Sequence, residues 1–275
     1  MKTRTRLLTA AISLALVGVP AVSGPSTAAA TGPEQRAASL SVTATKPELI
    51  LGQTTRLAGV LKPRAGGVTV ALQRKFASGW GVLAAKKTNA KGEFSFPVKP
   101  TAAGIVSYRA VRLDRLGEVS LRSAAVKVTT YRWHNVNDLN ISDADDVNDF
   151  DGPAAIGGTT YPRSILLDSD DTAEEEDGPG FIVVDTKKRC AAFTAFVGAL
   201  DDNTAGTMVR GKVTGDDEVL SDKTYAVGAF DTLLLNIRGF SEVRVDTVEV
   251  QQDVKRGLGV GTPMMLCAFE PLVES

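Results

Sequence analysis

The residues able to do chemistry in this chain are mostly carboxylates. Val147-Asn148-Asp149-Phe150-Asp151-Gly152 places acids at the third and fifth positions of an EF-hand-like loop and glycine at the sixth. It lacks an acid at the first position, Val147, and at the twelfth, Gly158, so it predicts at most a weak calcium site. The run Asp168–Asp177 is so densely acidic that it repels itself, and it reads as a solvated loop. Asp201-Asp202, just after Gly198, is the better calcium candidate, and closure of a β-turn is the alternative reading of the same pair. Nucleophilic catalysis has little to work with. His134 is the only histidine and stands beside Trp133 in what reads as a loop entry, packed or solvated. No nucleophile elbow, phosphate-binding loop or zinc-protease helix pattern occurs. Acid pairs abound, but two small β domains are an unusual frame for a glycosidase, and the expectation is a protein that is not an enzyme and needs no cofactor.

The two cysteines, Cys190 and Cys267, both fall in the second half. An even pair in an exported chain predicts one disulfide, with Cα atoms about 4.4–6.8 Å apart. Export follows from the first thirty residues. Lys2, Arg4 and Arg6 precede the apolar stretch Leu7–Val19, which is short for a bilayer span, and Ala28-Ala29-Ala30 suits a signal peptidase. Residues 1–30 are therefore expected to be a cleaved signal peptide and 31–39 a flexible lead. The mature protein is expected outside the cell, free or associated with the wall.

Charge divides the remainder. Residues 31–130 hold 16 Lys and Arg against 5 Asp and Glu, a net +11; residues 131–275 hold 12 against 27, a net −15. The whole-chain value of −1 hides this asymmetry, which marks a domain boundary near residue 130. The basic half fits an anionic cell-wall polymer, or the acidic half itself, and bare solvated cations are the alternative. Nucleic acid is not expected, because no recognition helix or RNA-stacking signature is present.

Period-two alternation supplies the elements. In residues 40–130 seven short strands are predicted: around Leu40–Ala44, Leu57, Val68–Leu72, Val82–Lys86, Phe94–Val98, Val106–Ala110 and Val126–Val128. Trp80 is expected to cap their core rather than lie exposed for recognition. In residues 131–275 the acidic opening up to Tyr161 reads as loop. Strands are predicted at Ser164–Leu167, Phe181–Val184, Cys190–Val197, Thr207–Val213, Glu218–Tyr225, Asp231–Ile237, Glu242–Gln251 and Met264–Phe269. Cys190–Val197 alternates in a way that makes it central. The fold class is all-β, two consecutive antiparallel β-sandwiches.

Two resemblances refine this. The order GGVTVALQR, GW, AKGEFSF, GIVSYRA over residues 40–130 resembles the small immunoglobulin-like (Ig-like) repeats of bacterial secreted and surface proteins, which implies a spacer. Over about residues 133–270, Asp138-Leu139, IGGTTYPRSI, RCAAFTAFVGALDD and TLLLNIRGFSEVRVDTV resemble the NPCBM family, the carbohydrate-binding modules found beside glycoside hydrolases such as family 98. That resemblance implies a galactose-binding-like jelly roll over residues 131–275, with a sugar held by loops at one end. Carried onto this sequence, it implies Tyr161 as the stacking aromatic and Asp201 and Asp202 as hydroxyl acceptors or calcium ligands. The family's late Trp has no counterpart in GVGTPMMLCAF. The function implied is a secreted, non-catalytic glycan-binding protein. Its alternative is a structural or adhesive surface protein that keeps the fold without the sugar.

Overall fold

The computed structural model describes residues 37–145, 147–168, 180–248 and 257–270. Residues 1–30, expected to be a signal peptide, and all of the acidic run after Asp168 lie outside the described residues. Alternation builds strands throughout. The first half contains β1 (Ser39–Ala44), β2 (Glu48–Ile50), β3 (Thr55–Lys62), β4 (Thr69–Phe76), β5 (Gly79–Lys87), β6 (Glu93–Val98), β7 (Gly104–Leu113), β8 (Val119–Arg122) and β9 (Val126–Asn135). One face of β1–β3–β6 packs on one face of the sheet built from β5, β4, β7 and β9. Between them lie Leu57, Leu61, Val70, Leu72, Phe96, Tyr108 and Val128. Pairing is antiparallel except for β2, which runs parallel to β9. The short strands β2 and β8 were not expected, since three or four residues give alternation too little length to show.

A single 3-10 turn, Val136–Asp138, leads into the second half. There follow β10 (Ile141–Asp145), β11 (Val147–Ile156), β12 (Thr159–Asp168), β13 (Phe181–Asp185), β14 (Cys190–Ala199), β15 (Met208–Gly215), β16 (Glu218–Ala226), β17 (Phe230–Asn236), β18 (Glu242–Val248) and β19 (Gly257–Cys267). Five of these form one sheet, in the order β10-β13-β18-β15-β16. The facing sheet contains β11, β12, β19, β14 and β17. Ile165, Leu167, Ile182, Phe193, Val197, Val245, Leu258 and Met265 fill the space between. The strand centred on Phe193 is central as expected, flanked by β17 and β19.

The acidic opening corrects the sequence reading: residues 141–145 and 147–156 are strands, not loop. Asp143, Asp145, Asp149 and Asp151 are exposed, and beyond them Gly152, Ala154 and Ile156 are buried while Pro153 and Ala155 face out. Trp80 is a second correction. Instead of capping a core it lies partly exposed on the outer face of its sheet, with Arg109 over its ring at 4.2 Å.

Strand β9 belongs to both halves. Its first residues pair with β7, Val126 opposite Tyr108, while Trp133 pairs with Leu266 of β19. Arg238 of the second half grips Glu48 through two nitrogens and donates to the Tyr131 hydroxyl.

Cys190 and Cys267 are disulfide-bonded, tying β14 to β19. Their Cα atoms stand 4.0 Å apart, closer than the about 4.4–6.8 Å usual for a bridge. They are direct cross-strand partners, the closest arrangement a sheet offers. Replacing both by alanine should cost roughly 2–5 kcal/mol of stability, read as a lower denaturant midpoint. An unchanged midpoint would show that the strand pair holds without its covalent tie.

Candidate functional site

An open cleft of about 760 Å³ lies on the second half. Its origin is a change of partner along one edge of β19. Residues Gly257–Gly261 pair on that edge with β12, and residues Met264–Cys267 pair with β9. Thr262 and Pro263 fall between the two and pair with neither. Proline has no N–H to give a ladder. Thr262 has φ +44°, an uncommon conformation for a β-branched residue and one that costs about 1–3 kcal/mol. The two edge strands therefore part, and the cleft opens where they do.

Trp133, Asn135, Thr262 and Met264 line the interior, with Pro162 and Arg163 of β12 along one wall. Trp133 is partly exposed. The charged rim is held in place. Arg163 donates to both oxygens of Asp138 and both of Asp151. These contacts raise the Arg163 pKa and hold the Asp151 carboxyl below its usual range. Asn137 also donates to Asp151, and Asn135 accepts from the Asn137 N–H at the start of the 3-10 turn. On the other side Arg132 meets Glu270 at 3.0 Å, and the second Glu270 oxygen is linked to Ala103 N–H at 2.8 Å. Exposed ion pairs contribute little stability. Here they fix donors and acceptors around an aromatic floor, the composition of a small-molecule site.

The candidate calcium loop is thereby accounted for differently. Asp149 and Asp151 lie in β11, Asp151 is bound to Arg163 and Asn137, and Asp149 accepts from the Asp151 N–H.

The residues implied by the resemblance come together beside the cleft. Asp201 takes the N–H of Gly157 on one oxygen and that of Gly158 on the other, both at 2.8 Å. Its own N–H donates to Ala155. It thus closes the β11–β12 turn, whose glycines have φ +58° and +76°. Asp202 is exposed. Tyr161 stacks on Phe196, ring centroids 4.6 Å apart, and covers Gly261. A Cβ on Gly259 would stand 2.7 Å from Ile156, and one on Gly261 2.8 Å from Tyr161. The glycines of β19 are what let this hairpin lie against the sheet.

Trp133 is the functional candidate that sequence reasoning missed. It had been placed in a loop entry, and its setting depends on a pairing with Leu266 that no local pattern reveals. His134, expected in the same entry, is a buried strand residue stacked on Phe269. Burial lowers its pKa. A contact with the Phe269 carbonyl and the charges of Glu270 and Asp138 partly offset this, while Arg132 adds to the lowering.

Among known proteins, the sequence matches no family model and no curated protein. Solved structures are similar only at a distance. A catalytic domain with CBM51-1 and CBM51-2 domains from Clostridium perfringens ZmpB is 9% identical, with a TM-score of 0.41; the match covers 78% of this chain and 34% of that one. The CBM51 of Clostridium perfringens GH95, in complex with methyl-galactose, is 14% identical at a TM-score of 0.37 and is covered over 99% of its length by 48% of this chain. The tandem CBM22-1–CBM22-2 of Paenibacillus barcinonensis Xyn10C is 11% identical over 79% of each chain, with a TM-score of 0.29. With TM-scores below 0.5, these likenesses carry no argument about the ligand.

Two outcomes are expected. Asp201→Ala should destabilise by about 1–3 kcal/mol, because the Gly157 and Gly158 amides lose their acceptor. Faster hydrogen exchange at those two amides checks it. His134 titrates with a folded pKa below its ordinary 6.5. The unfolded chain therefore binds the proton first on acidification. The stability it confers is complete above pH 6.5 and declines as pH falls towards the folded pKa. In His134→Phe that part of the stability–pH slope should vanish.

Proposed function

We propose that this protein is a non-catalytic extracellular glycan-binding protein, and that its second sandwich takes a sugar in the cleft floored by Trp133. The observation that carries the reading is the cleft itself. An indole and the Met264 side chain lie open beside acids and guanidinium groups that are already oriented by one another. A pyranose has an apolar face and a rim of hydroxyls, and it asks for that combination. Preorganised partners also lower the ordering cost of binding. The disulfide fits an oxidising compartment. The boundaries we assign are 40–130 for an Ig-like spacer and 131–275 for the binding domain, with β9 common to both. The NPCBM resemblance supports the same class of ligand.

Tyr161 and Asp201 enter this reading as supports of the wall that ends in Pro162 and Arg163, while Asp202 is left at the surface beside the turn. Each Asp201 oxygen accepts a backbone hydrogen bond, so in this reading the carboxylate serves the turn.

Glycan-array binding of the intact protein tests the proposal. Trp133→Ala should lose the signal of whichever sugar binds, by about tenfold or more for an aromatic stacking contact and its buried area. The melting temperature should stay nearly unchanged. Loss of binding in Tyr161→Ala but not in Trp133→Ala would move the site to the hairpin. An array without signal would favour the structural or adhesive alternative.

A further inference from the structure

Outside the cleft, the strongest unassigned feature is the outer face of the first half's larger sheet. Residues that alternate with its core positions point outward there. Lys75 of β4 pairs with Trp80 of β5, and Gln73 pairs with Arg109 of β7. Arg122 of β8 stands opposite Val111, two residues along the same face, and Lys127 of β9 stands opposite Ser107. A track of four cations thus crosses the sheet, and Lys75, Arg122 and Lys127 are exposed.

None of the four has a carboxylate partner among the described residues. Three described acids of this half are engaged elsewhere. Glu48 is held by Arg238, Glu93 takes a hydrogen bond from Asn89, and Asp114 accepts from the Leu116 and Glu118 N–H groups in the β7–β8 turn. The central cation is preset. Arg109 lies over the Trp80 ring at 4.2 Å, and its Nε donates to Gln73 at 2.8 Å. That leaves the guanidinium's remaining N–H groups to present their fork outward, the arrangement that suits sulfate, phosphate and carboxylate oxygens. The neighbouring Arg122 lowers the Arg109 pKa in addition to the effect of burial, a like-charge strain that a bound anion would relieve.

We propose that this face binds a linear polyanionic polysaccharide, one whose sugars carry repeated acidic groups. A line of like charge with no balancing acid is electrostatically complementary to a polymer whose charges also repeat along a line. The face is separate from the Trp133 cleft and does not depend on the sugar proposed there.

Binding of the full-length protein to dextran sulfate, measured beside uncharged dextran and poly-L-glutamate, tests it. The wild type should bind dextran sulfate more tightly than poly-L-glutamate, ignore dextran, and weaken steeply with added salt. Lys75→Gln with Lys127→Gln should weaken binding about tenfold, the scale of two exposed ion pairs lost. Arg109→Gln should lose at least as much, with the unfolding midpoint of each variant held. Trp133→Ala should bind dextran sulfate as the wild type does, which separates this site from the cleft. The proposal is overturned by absent binding at low salt, by variants that all bind as the wild type does, or by equal affinity for poly-L-glutamate.

Discussion

Strand β19 has only two edges, and three strands share them. β14 runs along one edge for almost its whole length, closed at the end by the disulfide. The other edge is divided between β12 and β9, with Thr262 and Pro263 at the division. Much of what is particular to this protein depends on that division. It brings the first sandwich into register with the second through β9. It parts two strands that an ordinary sheet would hold about 4.8 Å from a common neighbour, and so makes room for a cleft. It also brings Trp133 and Arg163, which are 30 residues apart in the numbering, to the same cleft.

The charged groups around the cleft are spent on one another before any ligand arrives. Asp138 and Asp151 share Arg163, and Glu270 serves Arg132 and a backbone amide of the first half. Such a rim presents a preset pattern of donors and acceptors to what it meets. A ligand must accept the geometry as it stands, and one with fixed ring hydroxyls is better suited than a flexible chain. The outer face of the first sandwich is arranged in the opposite way, since Lys75, Arg109, Arg122 and Lys127 have no carboxylate partner among the described residues.

Much of this was legible in the residues. The alternation through Phe193, Ala195 and Val197 placed a central strand, and two cysteines in one half of a chain expected to be exported placed a bridge. What escaped did so for physical reasons. Between Ile141 and Ile156 the side chains are largely Asp, Asn, Gly and Pro, whose turn preferences mask a weak alternation. The start of β19, GLGVGT, lies outside the strand expected at Met264–Phe269, because its glycines serve the close approach of Ile156 and Tyr161 rather than chain reversal. Trp80 looked like a core residue because indoles usually are, and only the neighbouring cations show otherwise. Asp201 was picked out for a ligand, and only the fold shows that its carboxylate is engaged by the Gly157-Gly158 turn. Trp133 was invisible as a site because its partners lie on a strand more than a hundred residues away.

The joint between the sandwiches, finally, contains no swivel. The stretch VKVTTYRWHN has neither glycine nor proline, and six of its ten residues are Val, Thr, Tyr or Trp, types that favour extended chain. Hydrogen bonds to β7 fix one end and those to β19 fix the other. Flexing it would mean peeling ladder bonds rather than turning a loose dihedral. Torsion applied to one sandwich is therefore passed to the other, and the first sandwich aims the cleft as well as carrying it.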